Sequence, residues 1–128
     1  MKINVKAIFF SVISVVFLLS SKSVLAGDAN VLAVKVDPLG ERQYRVTVTL
    51  SHEDTGWDHY ANAWLIFDED GKEIGERVLH HPHVNEQPFT RSLTLTIPEP
   101  VRLITIKGQD SVHGTDGKMM VVELPASP

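Results

Sequence analysis

The chain has 128 residues, of which 43% are hydrophobic and 22% charged, and it contains no cysteine; that is one ordinary domain with enough apolar material for a core. A formal net charge of −4 excludes the concentration of Lys and Arg that phosphate recognition needs, so no nucleic-acid partner is expected. Without cysteine there is no disulfide framework, thiolate metal site, iron–sulfur cluster, cysteine nucleophile or lipid-modified cysteine.

Residues 1–26 differ in character from the rest. Lys2 and Lys6 precede an apolar run, Ala7 to Leu19, broken only by Ser11 and Ser14, and a small polar region closes on Val24-Leu25-Ala26. A positive start, a short apolar stretch and small residues before a cut are the pattern that a signal peptidase reads. The run falls short of the roughly 20 residues needed to cross hydrocarbon, and Lys22 blocks its extension. Residues 1–26 are therefore expected to be a cleaved signal peptide, with an uncleaved anchor as the alternative. Cleavage after Ala26 removes three of the twelve basic residues and none of the sixteen acidic ones, leaving residues 27–128 with a charge of −7 and all six histidines. The expected location is the periplasm, with no stable membrane anchor after cleavage; export does not oblige a small domain to use disulfides.

From Val31 onward the chain reads as strands. Val31–Val36 is a β-branched run. Tyr44 to Ser51 alternates strictly, with Tyr44, Val46, Val48 and Leu50 on one face, which is the period of a half-buried strand. Ala61–Phe67 is apolar on both faces, as a central strand is. Ile74–His80 follows, then Phe89–Ile97, which repeats the alternation with Arg91 as the one polar residue on the apolar face. Val101–Lys107 and Lys118–Leu124 complete seven. Turns are expected at Asp37-Pro38-Leu39-Gly40, at Asp68-Glu69-Asp70-Gly71 and at Asp116-Gly117, with a stiff corner at Pro98-Glu99-Pro100. The expected fold is all-β, a seven-stranded antiparallel two-sheet sandwich of immunoglobulin or fibronectin III type over 27–128, with a small closed barrel as the alternative. Leu32, Val34, Val46, Val48, Leu50, Trp64, Ile66, Leu93, Leu95, Ile104, Ile106 and Val121 are the core candidates.

Polar residues gather in three connections: Ser51 to Tyr60, His80 to Pro88 and Gly108 to Gly114. The connections after strands two and six are expected to share one end of the sandwich, and the connection after strand four to lie at the other. Imidazoles are good ligands for Cu or Zn, and distant loops can supply three of them. His81 and His83 stand two apart, so an extended segment points both to one side; His113 or His59 would complete a site. The competing reading makes Trp57, Asp58, His59, Glu86, Arg91 and Asp110 a hydrogen-bonded surface for a protein or small ligand, with no cofactor required. His52, at the end of its strand, is expected to be solvated. Arg91 needs a carboxylate partner, Glu86 or Asp110, because a buried lone guanidinium is costly. Asp110-Ser111-Val112-His113 contains the residue types of a hydrolytic triad, but no strand-to-helix elbow presents the serine, and no enzyme is expected. Asp68 to Gly71 lacks the ligand spacing and terminal glutamate of a calcium loop and reads as a hairpin turn.

Gly56-Trp57-Asp58-His59-Tyr60-Ala61, His81-Pro82-His83-Val84-Asn85-Glu86-Gln87-Pro88-Phe89-Thr90-Arg91-Ser92 and Asp110-Ser111-Val112-His113-Gly114 together resemble an uncharacterised family of small exported bacterial proteins. The resemblance implies a compact exported domain in which these three loops matter together. It transfers no activity, cofactor or catalytic residue.

Overall fold

The computed structural model describes residues 27–126, so the signal peptide expected over 1–26 lies outside the described residues. Seven strands follow one another: β1 (Asn30–Gly40), β2 (Gln43–Ser51), β3 (Ala61–Phe67), β4 (Glu73–Val78), β5 (Phe89–Thr96), β6 (Leu103–Asp110) and β7 (Met120–Glu123). All pairings are antiparallel. They form a three-stranded sheet, β1-β2-β5, and a four-stranded sheet, β4-β3-β6-β7. Each sheet has two edges, so the fold is the open two-sheet arrangement of a sandwich and not a closed barrel.

Alternation explains the layers. Tyr44, Val46, Val48 and Leu50 of β2 are all buried, and in the β2–β5 register they stand opposite Leu95, Leu93, Arg91 and Phe89. Strand β3 lies between β4 and β6, and five of its seven residues are buried, Trp64 completely; a strand paired on both edges and covered on its inner face reads as a continuous apolar run.

Two core candidates were on the wrong face. Leu32 and Val121 are exposed. A register irregularity between Val31 and Ala33 sends Val31 into the core and turns Leu32 outward, because an extra residue reverses the parity of a strand. In the short edge strand β7 it is Met120 and Val122 that pack on the core. The first turn also differs. Asp37 to Gly40 continues β1, and the reversal is made by Glu41 and Arg42 with φ of 56° and 63°, two left-handed residues of the kind that match a hairpin's twist.

In an antiparallel path every second connection returns to the same end. The β2–β3, β4–β5 and β6–β7 connections therefore share one end, and the expectation that the β4–β5 connection lies opposite is corrected. The start of β1 is there too, since Asn30 pairs with Ser51.

Candidate metal centre

The strand periods deliver the central residues. In β2 the inward positions run Tyr44, Val46, Val48, Leu50, and the next step of two is His52, which is 3% exposed. The expected solvation of His52 is thus overturned: its parity is that of the core face. In β6 the inward positions run Ile104, Ile106, Gly108, Asp110, all buried. Two polar side chains consequently cap the apolar interior at the loop end. Alternation continued by one step of two past Leu50, and by two such steps past Ile106, would have found both.

Asp110 is held by its own turn. Its Oδ1 accepts the amides of Val112 at 2.6 Å and His113 at 2.9 Å, which leaves Oδ2 free to face His52 Nε2 at 2.6 Å and His59 Nε2 at 2.8 Å. His59 comes from the β2–β3 connection, where Thr55 N donates to His59 O and His59 N to Gly56 O. A fourth atom joins them. The carbonyl oxygen of Gly27 lies 3.2 Å from both His52 Nε2 and His59 Nε2. The segment before β1 reaches this point because Val31 N donates to Lys118 O and Lys118 N to Asn30 Oδ1. Gly117 permits the approach: a Cβ there would stand 2.0 Å from Ala29 O.

The other face of His52 is fixed by Asp54. His52 Nδ1 bonds Asp54 Oδ1, which also accepts Ala61 N at 3.1 Å, while Oδ2 accepts His83 N at 2.6 Å. Asp54 therefore ties β3 and the β4–β5 connection to the histidine. A carboxylate on the remote nitrogen of an imidazole is what orients a metal-ligating histidine. Both nitrogens of His52 face carboxylate oxygens, and a hydrogen or a cation can fill the space at Nε2.

Electrostatics follow from these contacts. Burial pushes the Asp110 carboxyl up, but the amides of His113 and Val112 and the rings of His52 and His59 outweigh it and hold it at about 2. The hydrogen bond to Asp110 raises His59 above its ordinary value against partial desolvation. His83 is lowered, first by burial and then by the Arg91 charge.

His52, His59 and Asp110 each offer one ligand atom, all within 4.8 Å of one another. His113 borders this group, its ring centroid 5.1 Å from that of His59. His81 and His83 are neighbours, with centroids 4.7 Å apart, but they stand beyond Asp54. His83 Nε2 accepts from Arg91 Nη2 at 3.1 Å and its ring stacks on Phe89, while its buried Nδ1 has no hydrogen-bond partner among the described residues. Arg91 also meets Glu86 at 3.4 Å. Trp57 is 66% exposed and packs edge-on to Tyr60; Asp58 is exposed. The Ser111 hydroxyl accepts Tyr60 N, and among the described residues it has no imidazole partner. Asp68 to Lys72 is a turn in which Asp68 Oδ1 accepts the amides of Asp70 and Lys72.

The chain is similar to a "Putative lipoprotein" of Halomicrobium mukohataei, 40% identical over 96 residues, which is 75% of this chain and 47% of the relative. The chain thus spans about half the length of the curated relative it matches. No family model matches the chain, and no solved structure matches it significantly.

Proposed function

We propose that this protein is an exported binding module that holds a divalent transition-metal ion, Cu(II) or Zn(II), between His52, His59 and Asp110. The observation that carries the reading is a ring of four atoms, alternately nitrogen and oxygen: His52 Nε2, Asp110 Oδ2, His59 Nε2 and Gly27 O, with edges of 2.6, 2.8, 3.2 and 3.2 Å. An ion bound at about 2.0–2.1 Å has neighbouring ligands about 2.9 Å apart in a square and about 3.3 Å apart in a tetrahedron. The ring is of that size with little movement. Charge balances as well, since one divalent ion would replace the two protons that His52 Nε2 and His59 Nε2 can direct at Asp110 Oδ2. Export is supported by the sequence pattern of residues 1–26 and by the lipoprotein name of the Halomicrobium relative.

Calorimetric titration of the protein lacking residues 1–26 with Cu(II) and Zn(II) tests this. Micromolar or tighter binding is expected, weakened at least tenfold in His59→Ala, whose half-exposed position spares the core, and unchanged in His81→Ala. Equal affinity in wild type and His59→Ala would sink the reading. A second reading is supported by the exposure of Trp57, Val84 and Val112 at the same end: the polar cluster then serves as a rigid base for an apolar rim that a protein or small ligand covers. Absence of metal binding, with loss of partner binding in Trp57→Ala, would favour it.

A further inference from the structure

Gly27 is built into the centre through more than its carbonyl. Its φ is +102°, a backbone conformation suited to glycine. A Cβ on it would stand 3.3 Å from His113 Nε2 and 3.6 Å from His59 Cε1. The residue is thus enclosed by two imidazoles on one side, with its oxygen directed at a third and shared with His59. It is also the residue that follows the expected cleavage point.

We propose that the α-amino group released at Gly27 by removal of residues 1–26 completes the metal centre, so that the processed protein, and not its precursor, is the form that binds Cu(II) tightly. This rests on the metal-binding reading above. Hydrolysis of the Ala26–Gly27 bond adds one water: the carboxylate stays with Ala26 and the amine with Gly27. Before hydrolysis the Gly27 nitrogen is an amide whose lone pair is delocalised into the Ala26 carbonyl, and it can ligate only by giving up its proton. Afterwards it is an amine donor three bonds from the carbonyl oxygen already at the site, the spacing of a five-membered chelate. The donor set becomes two imidazoles, an amine and a carboxylate, with the carbonyl in support. Nitrogen-rich sets with one or two oxygens suit tetragonal Cu(II) above Zn(II), and Cu(II) stands highest in affinity among the divalent first-row ions. Export and metal loading are thereby coupled: the tight site forms where the leader is removed.

The test uses two proteins of identical fold, checked by circular dichroism without metal. One is the exported protein, confirmed by mass spectrometry to begin at Gly27. In the other, Gly27 remains amide-linked to a flexible Gly/Ser extension. Competition with a chromogenic chelator should show Cu(II) bound at least tenfold more tightly by the free-amine form, and ¹⁵N-glycine should alter the Cu(II) spin-resonance superhyperfine pattern in that form alone. Equal affinities, both lost in His59→Ala, overturn this inference and leave the metal-binding reading standing. No binding in either protein overturns both. An exported protein beginning at a residue other than Gly27 overturns the inference by itself.

Discussion

Asp54 and Asp110 grip one imidazole between them, and the two carboxylates do different work. Asp110 offers one oxygen to the histidines because amides of its own turn take the other. Asp54 turns both oxygens to fixing positions, one on His52 and Ala61 and the other on His83. Asp54→Asn keeps the shape but lessens the pull on His52 Nδ1; metal affinity should fall by about 10- to 100-fold, as for other second-layer partners of ligating histidines, and calorimetry reads that loss directly. The effect of Asp110 on His59 can be followed by NMR titration. In the metal-free protein His59 should titrate above its ordinary value, because the protonated ring is the form that Asp110 bonds best, and in Asp110→Asn the midpoint should move down. An unchanged midpoint would remove the pairing.

At the scale of elements, the centre depends on how closely two edge segments approach. β1 and β7 belong to different sheets, and the segments beside them are joined by Val31 N to Lys118 O and by Asn30 Oδ1 to Lys118 N. Gly117 makes that contact possible. In Gly117→Ala the added methyl cannot coexist with Ala29 O, so the segment from Gly27 to Ala29 must move away. Stability should fall by about 1–3 kcal/mol, the usual cost of forcing extra volume into a packed contact, and the loss should appear in denaturant melts. Cu(II) affinity should fall with it, although no ligand has been changed. Gly117→Ala with wild-type stability and affinity would show that the N-terminal segment is not held at the centre. Arg91 shows the same principle in β5: its inward parity is tolerated because it lies at the loop end, where Glu86 and His83 receive it.

For the whole molecule, pH acts on the metal-free and metal-bound forms in opposite senses. A histidine raised on folding adds stability that is complete below the ordinary imidazole value and is lost as pH climbs through the folded value; this is the sense for His59. A carboxyl held at about 2 adds stability that is complete above the ordinary carboxylate value and is lost as pH falls toward 2. Without metal, the stability difference between wild type and His59→Gln should therefore be greatest between about pH 4 and 6 and should shrink as pH rises. With metal the trend reverses, since the ion displaces the His59 proton and binding strengthens with pH. A metal concentration of 100 times Kd adds about 2.7 kcal/mol, a rise in Tm of many degrees for a domain of this size. Calorimetric scans with and without Cu(II) from pH 5 to 8 measure both trends, and parallel curves would contradict the account.

The number of strands, their places along the chain and the character of β3 as a paired central strand were legible in residue order, because a period of two and β-branched runs are local properties. Elsewhere local order was ambiguous. The alternation that marked Leu50 as inward also pointed His52 inward, but a histidine after the last apolar residue looks like the start of a loop until a carboxylate from β6 is seen opposite it. His81 and His83 had the more conspicuous spacing, yet the group that converges is His52, His59 and Asp110, while Arg91 meets His83. Gly27 carried no chemical signal at all. Sequence alone determined a strand-rich domain with polar residues concentrated in three connections. The tertiary structure decided which of those residues meet, because a ring of ligand atoms drawn from Gly27, His52, His59 and Asp110 spans more than 80 positions of the chain and is closed by the packing of two sheets, which no local pattern encodes.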